Sequence, residues 1–211
     1  MTRPLAVLRP EPGNAATVAR IEALGLTAIR LPLFAIRTLA WTAPDPSGFD
    51  ALLLTSANAV RHAGPQLESL RHLPVMAVGA ATASAARAAG LRIAAVGTAD
   101  AAAAVRASTG KRLLHLAGRD RAATGVAAIT VYAADPVPVP SCAMLAGSVV
   151  LVHSARAAAR LADLVARDGV TDLRIAALSA AVRAAGPHCP GAVAGWPDDA
   201  TLVALAARLA D

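Results

Sequence analysis

Apolar residues in this chain fall in short unbroken runs, each followed by a stretch with helical spacing. In "DALLLTSANAVRHAG", Asp50 to Gly64, the run Leu52, Leu53, Leu54 reads as a strand buried on both faces, because no polar residue alternates with it. Thr55, Ser56 and Asn58 stand where that strand ends and a helix begins. The same build returns in "SVVLVHSARAAARLADLV", with Ser154 where Ser56 stood. "VMAVGAATASAARAAG" and "RIAALSAAVRAAG" make a second matched pair in the same order and at like spacing, so a whole half of the pattern is duplicated.

The rest of the pattern fills in around these pairs. Leu5 to Leu8 is a short strand, and Asn14 is expected to cap a helix that turns Val18, Ile21 and Leu24 inward and ends at Gly25. Thr27 to Leu31 is a second strand stopped by Pro32, and Phe34 to Leu39 is an extended connector. "DPVPVPS" carries prolines at alternate positions, which favours an extended link over a strand in a sheet interior. Strand candidates between the two links are Ala51 onward, Val75–Val78, "LRIAAVG", "KRLLHLAG" and "AAITVYAA". The helix after "LRIAAVG" is expected to be capped by Thr98 or Asp100. Beyond the second link come Val149–Val152, "LRIAAL" and "GAVAGW", with Trp196-Pro197 closing the last strand and Asp198 or Asp199 capping the final helix. Two five-stranded parallel α/β sheets follow, one built from both chain ends and one inserted between them. The implied boundaries are residues 1–34 and 140–211 for domain 1, 39–132 for domain 2, and 34–39 and 132–140 for the linkers. One segment breaks the rhythm. Only Arg119 to Ala128 separate Gly118 from "ITVY", which is short for a parallel crossover with its helix. An irregular loop is expected there.

Composition narrows the function. The chain has 211 residues, is 56% hydrophobic and carries a formal net charge of +6, so it can bury a core and attract an anion. It shows no basic run and few aromatics to stack bases, so an anionic small molecule fits better than nucleic acid. No apolar run reaches the ~18 residues of a membrane span, and "MTRPLAVLRPEPG" lacks a signal-peptide core. A cytoplasmic monomer without membrane contact is expected. Cys142 and Cys189 sit in no metal pattern and read as incidental thiols, and His62, His72, His115 and His188 share no ligand spacing. GxGxxG and P-loop motifs are both absent, which argues against a nucleotide or phosphoester enzyme.

The ordered string "VLRPEPG", "LLLTSANAV", "PVMAVGAATASAARAAG", "LLHLAGRDR", "VYAADP", "VLVHSARAA", "IAALSAAV" and "PDDATLVAL" resembles the uroporphyrinogen-III synthase family over nearly the full length. The resemblance implies two flavodoxin-like parallel-sheet domains joined by a two-stranded linker, the first domain discontinuous. It implies a cyclising lyase that converts hydroxymethylbilane to uroporphyrinogen III with loss of water and inversion of ring D, in haem biosynthesis, using no cofactor and no metal. The alternative from another class is a non-catalytic two-lobed binder of an anionic tetrapyrrole or other polyanion.

A polycarboxylate substrate would explain the repeated turns. Strand-to-helix turns at the carboxyl ends of a parallel sheet leave helix N–H groups around a crevice, and such termini attract anions. Thr55, Ser56, Asn58, Gly79, Thr82, Ser154 and Ser179 are the candidate substrate-binding residues at these turns, each with helix capping as its structural alternative. Arg9 matches the family's Arg-Pro and is a candidate carboxylate contact, or else a structural ion pair. Tyr132, the only tyrosine, occupies the family's tyrosine position and is the candidate proton donor to the leaving hydroxyl, with interdomain packing as the alternative. His153 beside Ser154 is expected to be structural. The chain departs from the family where Ala155 and Ala180 replace helix-opening prolines and Leu8 replaces a threonine.

Overall fold

The computed structural model describes residues 2–97 and 101–211. The apolar runs become strands and the turns after them become helix starts. In the first part these are β1 (Leu5–Val7), α1 (Gly13–Ala23), β2 (Ala28–Arg30) and β3 (Phe34–Thr38). Then follow β4 (Ala51–Leu54), α2 (Ala57–Arg61), a 3₁₀ stretch Gly64–Leu70, β5 (Val75–Val78), α3 (Ala80–Ala88), β6 (Ile93–Gly97) and α4 (Ala101–Arg106). After these come β7 (Leu113–Gly118), β8 (Ala127–Pro136), β9 (Val149–Val152), α5 (Ala155–Asp168), β10 (Arg174–Ala177), α6 (Ala180–Ala184), β11 (Gly191–Val193) and α7 (Asp199–Ala210). The expected cap at Thr98 or Asp100 lies outside the described residues.

The chain separates into two units, Met1–Ala35 with Pro136–Asp211, and Ile36–Asp135. The first holds a five-stranded sheet in the order β11-β10-β9-β1-β2, with every neighbouring pair parallel. This is the flavodoxin-like order, with the strand reversal between β1 and β9. The second sheet runs β3-β8-β7-β4-β5-β6, and its pairs from β8 to β6 are parallel. Without β3, its spatial order matches the first sheet if β7 and β8 are placed where β1 and β2 stand. The second unit is therefore a circular permutant of the first: the strand triplet comes before the strand pair instead of after it.

The second sheet has one strand more than expected. Phe34–Thr38 is not a bare connector, because it adds to the edge at β8. Leu39 N–H donates to Val131 O and Val137 N–H to Leu33 O, both at 3.0 Å, so β3 and β8 run antiparallel. β8 correspondingly extends to Pro136, into the segment read as a link, and only at that end does proline interrupt the ladder.

β4 is buried throughout, as its unbroken apolar run implies. Leu52 and Leu54 join Val75, Leu114 and Leu116 under α2 and α3, whereas Ala51 and Leu53 join Met76 and Leu113 on the opposite face under Ala104 of α4. That second face is the thinner, and chirality explains why. Right-handed crossovers place α2 and α3 on one face and the connections β6→β7 and β7→β8 on the other. Residues 119–126, between β7 and β8, form no helix, as expected, and Val126 packs where a helix would have lain. In the first unit α1 fills the equivalent place, packing Val18 and Ile21 on Leu5 and Val7.

Two local expectations need correction. Asn14 does not cap α1; it lies inside the first turn, fully buried, and its amide donates to the carbonyls of Val7 (2.9 Å) and Arg9 (3.1 Å). The Val7 carbonyl also accepts from Leu31 N–H at 3.1 Å, so the side chain fills its second lone pair and reaches the Arg9 carbonyl beyond the strand end. The last strand ends at Val193, before Trp196-Pro197, and Trp196 is exposed.

Candidate functional site

In the second unit the chain leaves β4 toward β5 on one side and β7 toward β8 on the other. The carboxyl ends of β4 and β7 therefore flank the reversal point, where open α/β sheets present a crevice. β7 ends in Gly118, whose register partner on β8 is Tyr132. A Cβ at Gly118 would lie 2.7 Å from Tyr132 Cζ and 2.9 Å from its hydroxyl oxygen, so the phenol lies directly across bare glycine backbone. Here glycine is required for space, not for a positive φ.

His62 follows the last turn of α2, and its ring centroid is 6.2 Å from that of Tyr132, with the planes inclined at 37°. Its Nδ1 sits 2.7 Å from Thr38 Oγ1 at the end of β3. The backbone beside it is anchored where Trp41 Nε1 donates to Ala63 O at 2.8 Å. Burial, and secondarily the charge of Arg61, lower the His62 pKa below the ordinary histidine value. The imidazole is accordingly neutral at pH 7.

Thr55 and Ser56 open the turn after β4. Thr55 Oγ1 is 3.0 Å from Nε2 of His115, a histidine buried in the middle of β7. Burial chiefly, and then the Arg121 charge, push His115 down to about 4. Its Nδ1 is buried without a partner, so the tautomer that donates Nε2–H to Thr55 is favoured, leaving a bare lone pair and not an orphaned N–H. Ser56 caps α2 by accepting from Asn58 N–H at 3.1 Å, and Asn58 Oδ1 accepts from Arg61 at 3.3 Å. Gly79 caps α3 with φ +83° and brings no side-chain cap, and Thr82 is buried in the first turn of that helix.

The first unit has its own reversal point, between β1 and β9. Arg9 follows β1 and His153 follows β9, and both converge on Asp199, the first residue of α7. Asp199 Oδ1 accepts from Thr17 Oγ1 (2.7 Å), His153 Nε2 (2.8 Å) and Arg9 Nη1 (3.1 Å), while Oδ2 accepts from Arg20 Nη1 (2.7 Å). Burial alone would raise the carboxyl pKa, but the hydrogen bonds from His153 and Thr17 and the charge of Arg9 hold it well below the usual carboxylate range. His153 is lowered by burial, with the nearby Asp199 acting against that shift. Arg9 thus forms the ion pair that stood as its structural alternative. Ser154 caps α5 through Ala157 N–H (3.2 Å), and Ser179 caps α6 through Val182 N–H (3.3 Å).

Of the residues singled out from sequence, Thr55, Ser56, Asn58, Gly79, Thr82 and Tyr132 belong to the second unit, and Arg9, Ser154 and Ser179 to the first. Of the two acids expected at the start of α7, Asp198 alone is the cap, accepting from Thr201 N–H at 2.8 Å. A clue was available: two adjacent acids at a helix start cannot both cap. Nothing in the sequence marked His62, Thr38 or His115 as neighbours of the predicted residues. Among the described residues no group of three or more His, Cys, Asp or Glu is placed to hold a metal ion.

A family model described as uroporphyrinogen-III synthase HemD matches residues 15–206. No curated protein sequence matches significantly. Among solved structures, the fold is similar to the uroporphyrinogen-III synthetase of Helicobacter pylori 26695, with a TM-score of 0.63 and 15% identity, over 98% of this chain and 99% of that one. It is also similar to a mutant uroporphyrinogen III synthase of the extremely thermophilic bacterium Thermus thermophilus, with a TM-score of 0.60 and 17% identity, over 95% and 96% of the two chains. At such identities the two structures speak for the two-domain α/β fold, while the family match spans nearly the whole chain. The chain belongs to the uroporphyrinogen-III synthase family.

Proposed function

We propose that this chain closes hydroxymethylbilane to uroporphyrinogen III, with inversion of ring D and loss of water, and that Tyr132 donates the proton to the departing hydroxyl. The observation that carries the assignment to Tyr132 is its placement across Gly118 at the reversal point of the second sheet. The family's reaction needs no cofactor. Loss of hydroxide from a hydroxymethylpyrrole is driven by the pyrrole nitrogen and leaves an azafulvenium cation, so a weak acid at the oxygen suffices. The harder task is conformational. Direct closure without inversion competes, and the protein must hold the chain so that the spiro attack is nearer.

The substrate's carboxylates are taken by helix N-termini, with Thr55, Ser56, Asn58, Gly79, Thr82, Ser154 and Ser179 as the binding set, while Arg9 is engaged by Asp199. Within it the Gly79 turn is the best suited, because α3 carries no side-chain cap competing for its first amides. The three serine turns each commit one amide to the cap. The same reading makes the protein a cytoplasmic monomer acting on a small polycarboxylate. No helix among the described residues is long and apolar enough to cross a membrane.

The test supplies freshly made hydroxymethylbilane, oxidises the product and resolves the ring isomers. Type III product from the wild-type chain is expected, with turnover lower by about 100-fold or more in Tyr132→Phe, the lower range for one lost proton donor. Type I alone at the blank rate, together with measurable affinity for the product by calorimetry, identifies a binder instead. An unchanged rate in a folded Tyr132→Phe variant removes the tyrosine from the chemistry.

A further inference from the structure

We infer that His62 is the base of this reaction, taking up through Nε2 the pyrrole-carbon proton that ring closure releases, as the partner of Tyr132. The inference rests on the proposed synthase activity and adds to it a residue that the family motifs did not single out.

The need for a base follows from the atom balance. One C–O bond breaks as the hydroxyl leaves as water, carrying the proton from Tyr132. Inversion breaks and remakes a C–C bond and so conserves atoms. The final C–C bond forms at the ring carbon that was unsubstituted in the bilane. That carbon then holds both its hydrogen and the new bond, and the pyrrole regains aromaticity only when the proton departs and its electron pair returns to the ring. Acid and base therefore act once each per turnover. Transfer of the proton from His62 to the Tyr132 oxygen, directly or through one water, restores both groups with no oxidant or reductant.

His62 has the features of a base. Its Nδ1 is tied to Thr38 at 2.7 Å, which fixes the ring as an orienting group does in other acid–base pairs. Its Nε2 has no hydrogen-bond partner among the described residues, and the ring is half-buried, so the free nitrogen is not lost in the core. Its ring neighbour is the tyrosine that would need reprotonation, at 6.2 Å between centroids. The titratable groups beside it are Tyr132 on β8 and Arg61 on α2, and Thr38 on β3 is uncharged. Arg37, also on β3, is taken up by Asp135 at 2.9 Å. Burial and Arg61 both favour the neutral ring, the form that can accept a proton at pH 7.

The experiment measures kcat, KM and the isomer ratio from pH 5 to 9 for the wild type, His62→Gln and His62→Phe, the last preserving ring packing. Imidazole rescue of His62→Ala is run alongside, below that variant's melting temperature. Expected are a roughly 100-fold fall in kcat in both variants with KM within about twofold, and recovery of rate with imidazole. Also expected is an acidic limb of the kcat profile, lying below the ordinary histidine range, in the wild type that vanishes in the variants. Turnover at the wild-type rate in either folded variant, or a variant that keeps the acidic limb, overturns the role of His62. So does failure of imidazole to restore the rate of His62→Ala. Failure of the synthase assignment looks different: the wild type itself then yields only type I product at the blank rate.

Discussion

His115, His153 and Asp199 are covered groups whose surroundings shift their protonation, and each ties the stability of the fold to pH. Both histidines are held below their ordinary pKa, His115 at about 4. Between that value and about 6.5 the unfolded chain binds protons that the folded chain refuses, so stability rises with pH. The His115 contribution is complete above about pH 6.5, is lost as pH falls, and amounts to about 3 kcal/mol by pH 4. Asp199 acts in a lower window. Its depressed folded pKa gives stability that is present above the unfolded carboxylate value and lost as pH falls through it. Chemical denaturation between pH 7 and 3 should therefore lose stability in two stages, and His115→Gln should flatten the first. A wild-type curve flat down to pH 4.5 would contradict this. At this scale little was legible beforehand. The serine caps could be read from local order, because a cap and its amide lie two or three residues apart. The His115–Thr55 and Asp199–His153 contacts join residues far apart in sequence, and only strand order brings them together.

At the scale of elements, β7 shows how a strand end serves chemistry. Gly118 closes the strand with no side chain so that the phenol of Tyr132 can lie over it. In Gly118→Ala the new methyl must displace the ring. The expected result is about tenfold lower turnover with a small change in melting temperature, since the residue clashes only with the end of a side chain. Equal loss of both would mean that the ring serves packing. Most elements were legible because their apolar runs are short and bounded by glycine, proline or a capping hydroxyl. Gly79 at φ +83° and Gly25 at φ +73° punctuate where expected. The unhelical crossover at residues 119–126 was legible from length alone. What the pattern could not reveal was β3. Its burial, with only Phe34 fully covered, carries no strong periodicity, and it becomes a strand because β8 offers an edge.

At the scale of the whole molecule, the duplicated strand–helix pairs pointed to two related sheets, yet the permuted order of the second was hidden. The repeat was visible in β4–α2–β5–α3 and β9–α5–β10–α6, where helices follow strands in both copies. It was invisible in β1–β2 and β7–β8, because one pair has kept its helix and the other has not. The ladder contact at Leu33 and Val137 has a consequence for how such a chain came to be built and how it can be taken apart. The two points at which the backbone departs from and rejoins the first unit are a single hydrogen-bonded pair, 3.0 Å from donor to acceptor. At the other extreme Arg3 N–H donates to Ala210 O, also at 3.0 Å, so the outer ends are stitched together too. The second unit thus enters the sequence where a hairpin would have its turn, the kind of place where foreign sequence is accepted without disturbing the host. Replacing residues 36–135 by an Asn-Gly turn should leave a miniature of five parallel strands that unfolds in one cooperative step by circular dichroism.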